Sequence, residues 1–120
     1  MKDIAVSANG KNLEAEVGQL FGRARFFILV DPDTLEWEAL DNLGNISGSQ
    51  GVGLMTAKSL ERKNIRTVLT GSCGPKAFEE LQAAGIEVIL HAHGTVRKAL
   101  ASFMNGELDR AVKSNVMAAF

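Results

Sequence analysis

A single cysteine, Cys73, occurs in the 120 residues. That scarcity excludes an internal disulfide and a four-cysteine iron–sulfur site. No apolar run approaches the roughly 20 residues needed to span a bilayer. The opening MKDIAVSANG has too short an apolar stretch for a signal peptide. Charge of one sign is lacking as well: 13 Lys and Arg stand against 14 Asp and Glu, a net charge of −1. This balance argues against a broad nucleic-acid surface or a basic membrane patch. The phosphate-loop string G-x-x-x-x-G-K-S/T is absent too. What is present is 46% apolar and 22% charged residues, the composition of a globular chain. At this length it is one domain, residues 1–120, expected to be cytoplasmic and monomeric by default, with 105–120 as a loose tail.

The apolar patterning predicts strands over 3–8 and 25–30, both nearly unbroken apolar runs and therefore buried. Asp31-Pro32-Asp33-Thr34 is a turn, since proline pre-sets φ and aspartates bond locally. It leads into an alternating strand over 35–40 (LEWEAL), half-polar and suited to a sheet edge, with Trp37 as packing. A polar loop is expected over 11–22 and a glycine-rich loop over 41–53, from which a helix starts near Ser49 and runs to Lys63. A short strand at the start of 67–75 and another over 86–90 alternate with helices from Pro75 to Gly85 and from Val96 through Phe103, and 105–120 carries little pattern. Alternating strands and helices require a mostly parallel sheet with helices on its faces, here an α/β fold whose opening hairpin adds one antiparallel strand.

Residues 67–75, TVLTGSCGP, form the centre of this layout. An apolar strand enters a turn flanked by Gly71 and Gly74, and Pro75 fits the first position of a helix. Bare backbone at a helix N-terminus favours an anion through its unpaired amides and dipole. In such sheets ligands sit at the carboxyl ends of the strands. That rule gathers Ser7, the turn Gly71, Ser72, Cys73 and Gly74, and the segment His91, His93 and Gly94 along one edge. The loop of Gly51, Val52 and Gly53 opens a helix toward the same edge. Helix starts near Gly53, Gly74 and Gly94 are each expected to offer free N–H groups. Arg23 would supply a full positive charge, and Val52 and Met55 an apolar wall.

Each of these residues also has a plainer role. Cys73 is either a small packed hydrophobe or a ligand whose pKa a helix N-terminus lowers. His91 and His93 are polar residues at a strand end or ligands, Arg23 a solvated charge or a clamp, and Met55 core or wall. Cys73 with the two histidines also suggests a thiol-dependent enzyme or a zinc site, and the glycine loop a phosphate-binding module.

Phe21-Gly22-Arg23-Ala24 before an apolar strand, Gly51-Val52-Gly53, Gly71…Gly74-Pro75-Lys76-Ala77-Phe78, Ala84-Gly85-Ile86 and Gly94-Thr95-Val96 occur in that order. The pattern resembles the dinitrogenase iron–molybdenum cofactor biosynthesis domain family over about residues 4–106. The resemblance implies a ribonuclease-H-like three-layer fold with a mixed five-stranded sheet. It implies a non-catalytic carrier or scaffold for a metal–sulfur cluster, with an unidentified donor or acceptor protein as partner. Within the family the chain looks closest to small stand-alone members that carry a molybdenum–copper sulfide cluster without covalent attachment. Iron–molybdenum cofactor or a precursor is the alternative cargo. Many members have histidine before Phe-Gly-Arg. Leu20 stands there in this chain, so a contact from that histidine is not carried over. Thiomolybdate-type species are anionic and bring their own sulfide, which suits a chain with one thiol.

Overall fold

The structure, a computed structural model, describes residues 1–48, 51–111 and 113–116. Strands β1 (Ile4–Ala8) and β2 (Phe26–Val30) are buried at every position. Runs without polar alternation belong in the middle of a sheet covered on both faces. Strand β3 (Trp37–Asp41) pairs antiparallel with β2 and is mostly exposed, the edge position its alternation predicts. It starts later than expected because Leu35 takes a φ of 63° and belongs to the turn. There Asp31 Oδ1 accepts from the amides of Asp33 at 2.8 Å and Thr34 at 3.3 Å. Strands β4 (Thr67–Leu69) and β5 (Glu87–Ile89) run parallel to β1, so the five-stranded order is β3-β2-β1-β4-β5. Only β2 opposes the other strands.

The described residues also form the α-helices α1 (Leu43–Ile46), α2 (Val52–Arg62), α3 (Pro75–Ala83) and α4 (Val96–Met104). On one face of the sheet, Ala57 and Leu60 of α2 and Ala77, Phe78 and Leu81 of α3 pack with Ala5, Phe27, Leu29, Val68 and Val88. On the other, Val96, Ala99 and Leu100 of α4 pack with Ile4, Val6, Ile28, Val30, Leu69 and Ile89. The result is a three-layer α/β fold compatible with the ribonuclease-H-like architecture.

Two local expectations are corrected. The loop expected over 41–53 contains α1, whose first turn is organised around the buried Asn42. The polar loop over 11–22 ends in a one-turn 3-10 helix, Phe21–Arg23, because Phe21 is drawn fully into the core. It stacks edge-on against Phe27 with ring centroids 5.3 Å apart. Within the segment expected to be loose, two residues pair with the sheet: Ala111 N donates to Val88 O at 2.8 Å, and Arg110 bridges to Ile89. The expected helix start at Ser49 and the last residues, 117–120, lie outside the described residues. Among the described residues, no helix is long and apolar enough to cross a membrane.

Candidate functional site

The carboxyl ends of β1, β4 and β5 lie side by side, as parallel pairing requires, and the loops leaving them are laced together. His91 N donates to Gly71 O at 2.9 Å and Ala92 N to Thr70 O at 3.1 Å. The turns at 71–74 and 91–94 therefore do share one rim. The loop before β2 closes over the end of β1: Asn9 N donates to Glu16 O and Gly18 N to Ser7 O. Ser7 is consequently beneath the rim, not on it. Its Oγ donates to Gly18 O at 2.7 Å and lies 2.8 Å from Thr70 Oγ1, and both side chains are fully buried. Its expected ligand contact gives way to a structural one, because the only hydroxyl proton is already spent on Gly18.

Close backbone approach builds the open part of the rim. A methyl group at Gly22 would lie 2.8 Å from the Cα of Gly53, so the 3-10 turn and the start of α2 touch through bare backbone. A methyl at Gly71 would lie within 2.6–2.9 Å of three atoms of Gln19, including its carbonyl oxygen. The turn is bound to this strand of loop by Phe21 N donating to Ser72 O at 2.9 Å, with Ser72 Oγ donating to Gln19 O at 2.7 Å. Gly71 is thus glycine for lack of room, a different reason from the sharp bend expected. At Gly74, with φ −68° and ψ 162°, an added methyl would meet nothing within 4 Å.

Two helix N-termini open onto this rim on the same face of the sheet. The first amides of α2, on Val52, Gly53 and Leu54, have no acceptor among the described residues, and the N-cap Gly51 has a φ of 66°. At α3 the amides of Gly74, Lys76 and Ala77 are likewise without an acceptor among the described residues, and Pro75 has none to offer. Arg23 is exposed at the end of the intervening 3-10 turn and forms no ion pair among the described residues. Met55, 42% exposed, stands outside the buried stripe of Val52, Thr56, Ala57 and Leu60. Val52 itself packs into the core.

The third helix start departs from expectation. α4 covers the opposite face, and its opening amides are taken. Val96 N donates to Ala15 O, Arg97 N to Leu13 O, and Lys98 N to Thr95 Oγ1 at 3.1 Å. The Gly94 carbonyl accepts from Val17 N, so this turn anchors the 13–17 loop and offers no free donors. Gly94 and His93 instead line a separate cleft of about 480 Å³ with Lys98, Ser102 and Glu107.

The metal-ligand expectation fares similarly. Cys73 is fully buried in the cluster under α2 and α3, and burial pushes its thiol up to about 12, opposite to the lowering expected of a helix N-terminus. His91 and His93 are exposed, with His93 Nδ1 donating to its neighbour's carbonyl, His91 O, at 3.0 Å. Among the described residues no three His, Cys, Asp or Glu side chains converge as a metal site would require. The zinc reading and the thiol-nucleophile reading both lose their central group. The glycine loop follows α1, not a strand, which removes the context a phosphate loop needs.

Two features escaped the sequence reading. Asn42 is buried at the end of β3. Its Nδ2 donates to Ala24 O at 2.9 Å and its Oδ1 accepts from Asn45 Nδ2 at 2.8 Å and Thr56 Oγ1 at 3.3 Å. It thereby ties the Arg23 loop to α1 and α2. Asn115 reaches the 71–74 turn from far along the chain, its Oδ1 accepting from Cys73 N at 2.9 Å. An asparagine following a strand was the only available hint of the first, and nothing local marks the second.

A family model described as dinitrogenase iron-molybdenum cofactor matches residues 2–106. The fold is similar to the apo form of the orange protein from Desulfovibrio gigas, with 40% identity, a TM-score of 0.93, and coverage of 97% of this chain and 98% of that one. It is also similar to a Thermotoga protein described as a candidate NifB protein, at 33% identity and a TM-score of 0.79, covering 92% and 93%. An uncharacterised protein of Methanocaldococcus jannaschii is 24% identical over 92 residues, 75% of this chain and 78% of that protein.

Proposed function

We infer the function from one premise: the chain belongs to the dinitrogenase iron–molybdenum cofactor family. On that premise it is a non-catalytic carrier of a molybdenum-containing metal–sulfur cluster, held non-covalently. A molybdenum–copper sulfide cluster is the cargo that best suits the donors present. The observation that carries this reading is the donor set: amides at the starts of α2 and α3 without acceptors among the described residues, with Arg23 beside them. Such a rim attracts an anion through helix dipoles, N–H groups and a guanidinium. A cluster that brings its own sulfide needs no thiolate, and the buried, protonated Cys73 supplies none. Met55 offers a thioether at the same edge, a soft group suited to copper(I).

A carrier must load from one protein and unload to another, and the chain is proposed to do so as a monomer in the cytoplasm. Purification from the native source is expected to give coloured protein containing molybdenum and copper, with sulfur-to-metal charge-transfer absorption in the visible. Metal analysis beside that spectrum tests the reading. Iron accompanying molybdenum would point to iron–molybdenum cofactor or a precursor instead, and a colourless protein free of molybdenum would end the proposal.

A further inference from the structure

The Cys73 amide of this turn is already occupied, and its occupant comes from beyond the residues the family model spans. Asn115 grips the turn at two points, Oδ1 accepting from Cys73 N at 2.9 Å and Nδ2 donating to Gly71 O at 3.1 Å. Ser114 Oγ donates to Cys73 O and accepts from Val116 N at 3.1 Å. Upstream, Arg110 and Ala111 lie along the outer edge of β5. We propose that Ser114 and Asn115 form a displaceable strap that holds the Cys73 amide until the cluster arrives and leaves when it loads.

Three observations support release over permanent bracing. Cys73 N begins the same run of backbone as the amides of Gly74, Lys76 and Ala77, which are without acceptors among the described residues, so a guest seated on those competes for it. The present acceptor is a neutral carboxamide, and a charged acceptor makes a hydrogen bond roughly twice as strong. Finally, Lys113 and Asn115 are exposed and Ser114 and Val116 only half-buried. Little apolar burial therefore opposes local opening. The carboxamide stands in for the anion, and the strap becomes an intramolecular competitor.

This inference rests on the proposed cluster-carrier function, and the test separates the two. The full chain and the double variant Ser114→Ala/Asn115→Ala are titrated with tetrathiomolybdate and copper(I), followed by visible absorption. Hydrogen exchange of the amides at 113–116 is measured in the unsubstituted chain with and without these reagents. Losing two or three neutral hydrogen bonds from the competing state should tighten binding about 5- to 30-fold in the variant. In the unsubstituted chain, exchange at 113–116 should become faster on loading. Binding by the unsubstituted chain with those amides equally or better protected, or weaker or equal binding by the variant, would overturn the strap while leaving the carrier function intact. Failure of both proteins to bind would overturn both.

Discussion

A thiol without exposed surface and with its pKa pushed up to about 12 stays protonated wherever this protein is handled. Desolvation is the cause, since the charged thiolate loses its water and gains no partner. The folded state therefore binds the thiol proton more tightly than the unfolded chain, whose ordinary value is 9.0. Stability is untouched below that value and falls as pH climbs from there toward 12. Cys73→Ala is expected to remove this alkaline decline, at a cost of about 1 kcal/mol near neutrality from the small cavity left. Urea unfolding at neutral pH and near pH 10 measures both. The same variant should retain the cluster, and loss of binding with the fold intact would restore Cys73 as a ligand. The site was only partly legible at this scale. Position told that Cys73 and Ser7 lie near strand ends, yet which way a side chain faces depends on loops that close over it. Gly71 and Gly22 stood out as glycines, while the reason, contact with Gln19 and Gly53, is non-local.

Between elements, α2 and α3 meet along a seam that carries a charge conflict. Glu61 on α2 sits beside Glu80 on α3, and Lys58 Nζ reaches Glu80 Oε2 at 3.6 Å. A hydrogen bond shared with Glu80 raises the pKa of Glu61 from its ordinary value, with burial and the like charge adding to it. Glu61 Oε2 is buried without a donor among the described residues, so a proton is what it lacks. Because the folded state holds that proton more tightly, the seam weakens as pH rises through and above the ordinary carboxylate value toward neutrality. Glu61→Gln keeps a donor toward Glu80 and removes the repulsion. It is expected to raise the neutral-pH melting temperature by about 1–5 °C and to flatten its slope with pH. An unchanged slope in thermal scans across that range would remove the pair from the account. Elements with a strong period were the legible ones: β1 and β2 as unbroken apolar runs, α3 and α4 as 3.6-residue stripes, the first ended by Gly85 and the second starting at Val96. The four-residue helix α1 has no period to read, and the described residues Arg110 and Asn115 meet β5 and the 71–74 turn, which are distant in sequence.

Across the whole molecule, the rim is composite. The turn Phe21–Arg23, the start of α2 and the start of α3 come from three separate stretches of chain and meet only because β1 and β4 are paired and Gly22 touches Gly53. An unfolded chain has no such surface. A guest held this way binds the native state alone and must stabilise it by mass action, about 2.7 kcal/mol at a free concentration 100 times the dissociation constant. The melting temperature is therefore expected to climb with the concentration of tetrathiomolybdate and copper(I) and to level off only logarithmically. Arg23→Gln removes the full charge at the rim and should weaken binding roughly tenfold, the scale of one charge-assisted contact. Lys98→Gln provides the control, since that lysine belongs to α4 on the opposite face, beside amides already satisfied within the fold. Equal losses from the two substitutions would mean that net charge attracts the guest. A loss confined to Arg23→Gln would mean that the assembled rim does.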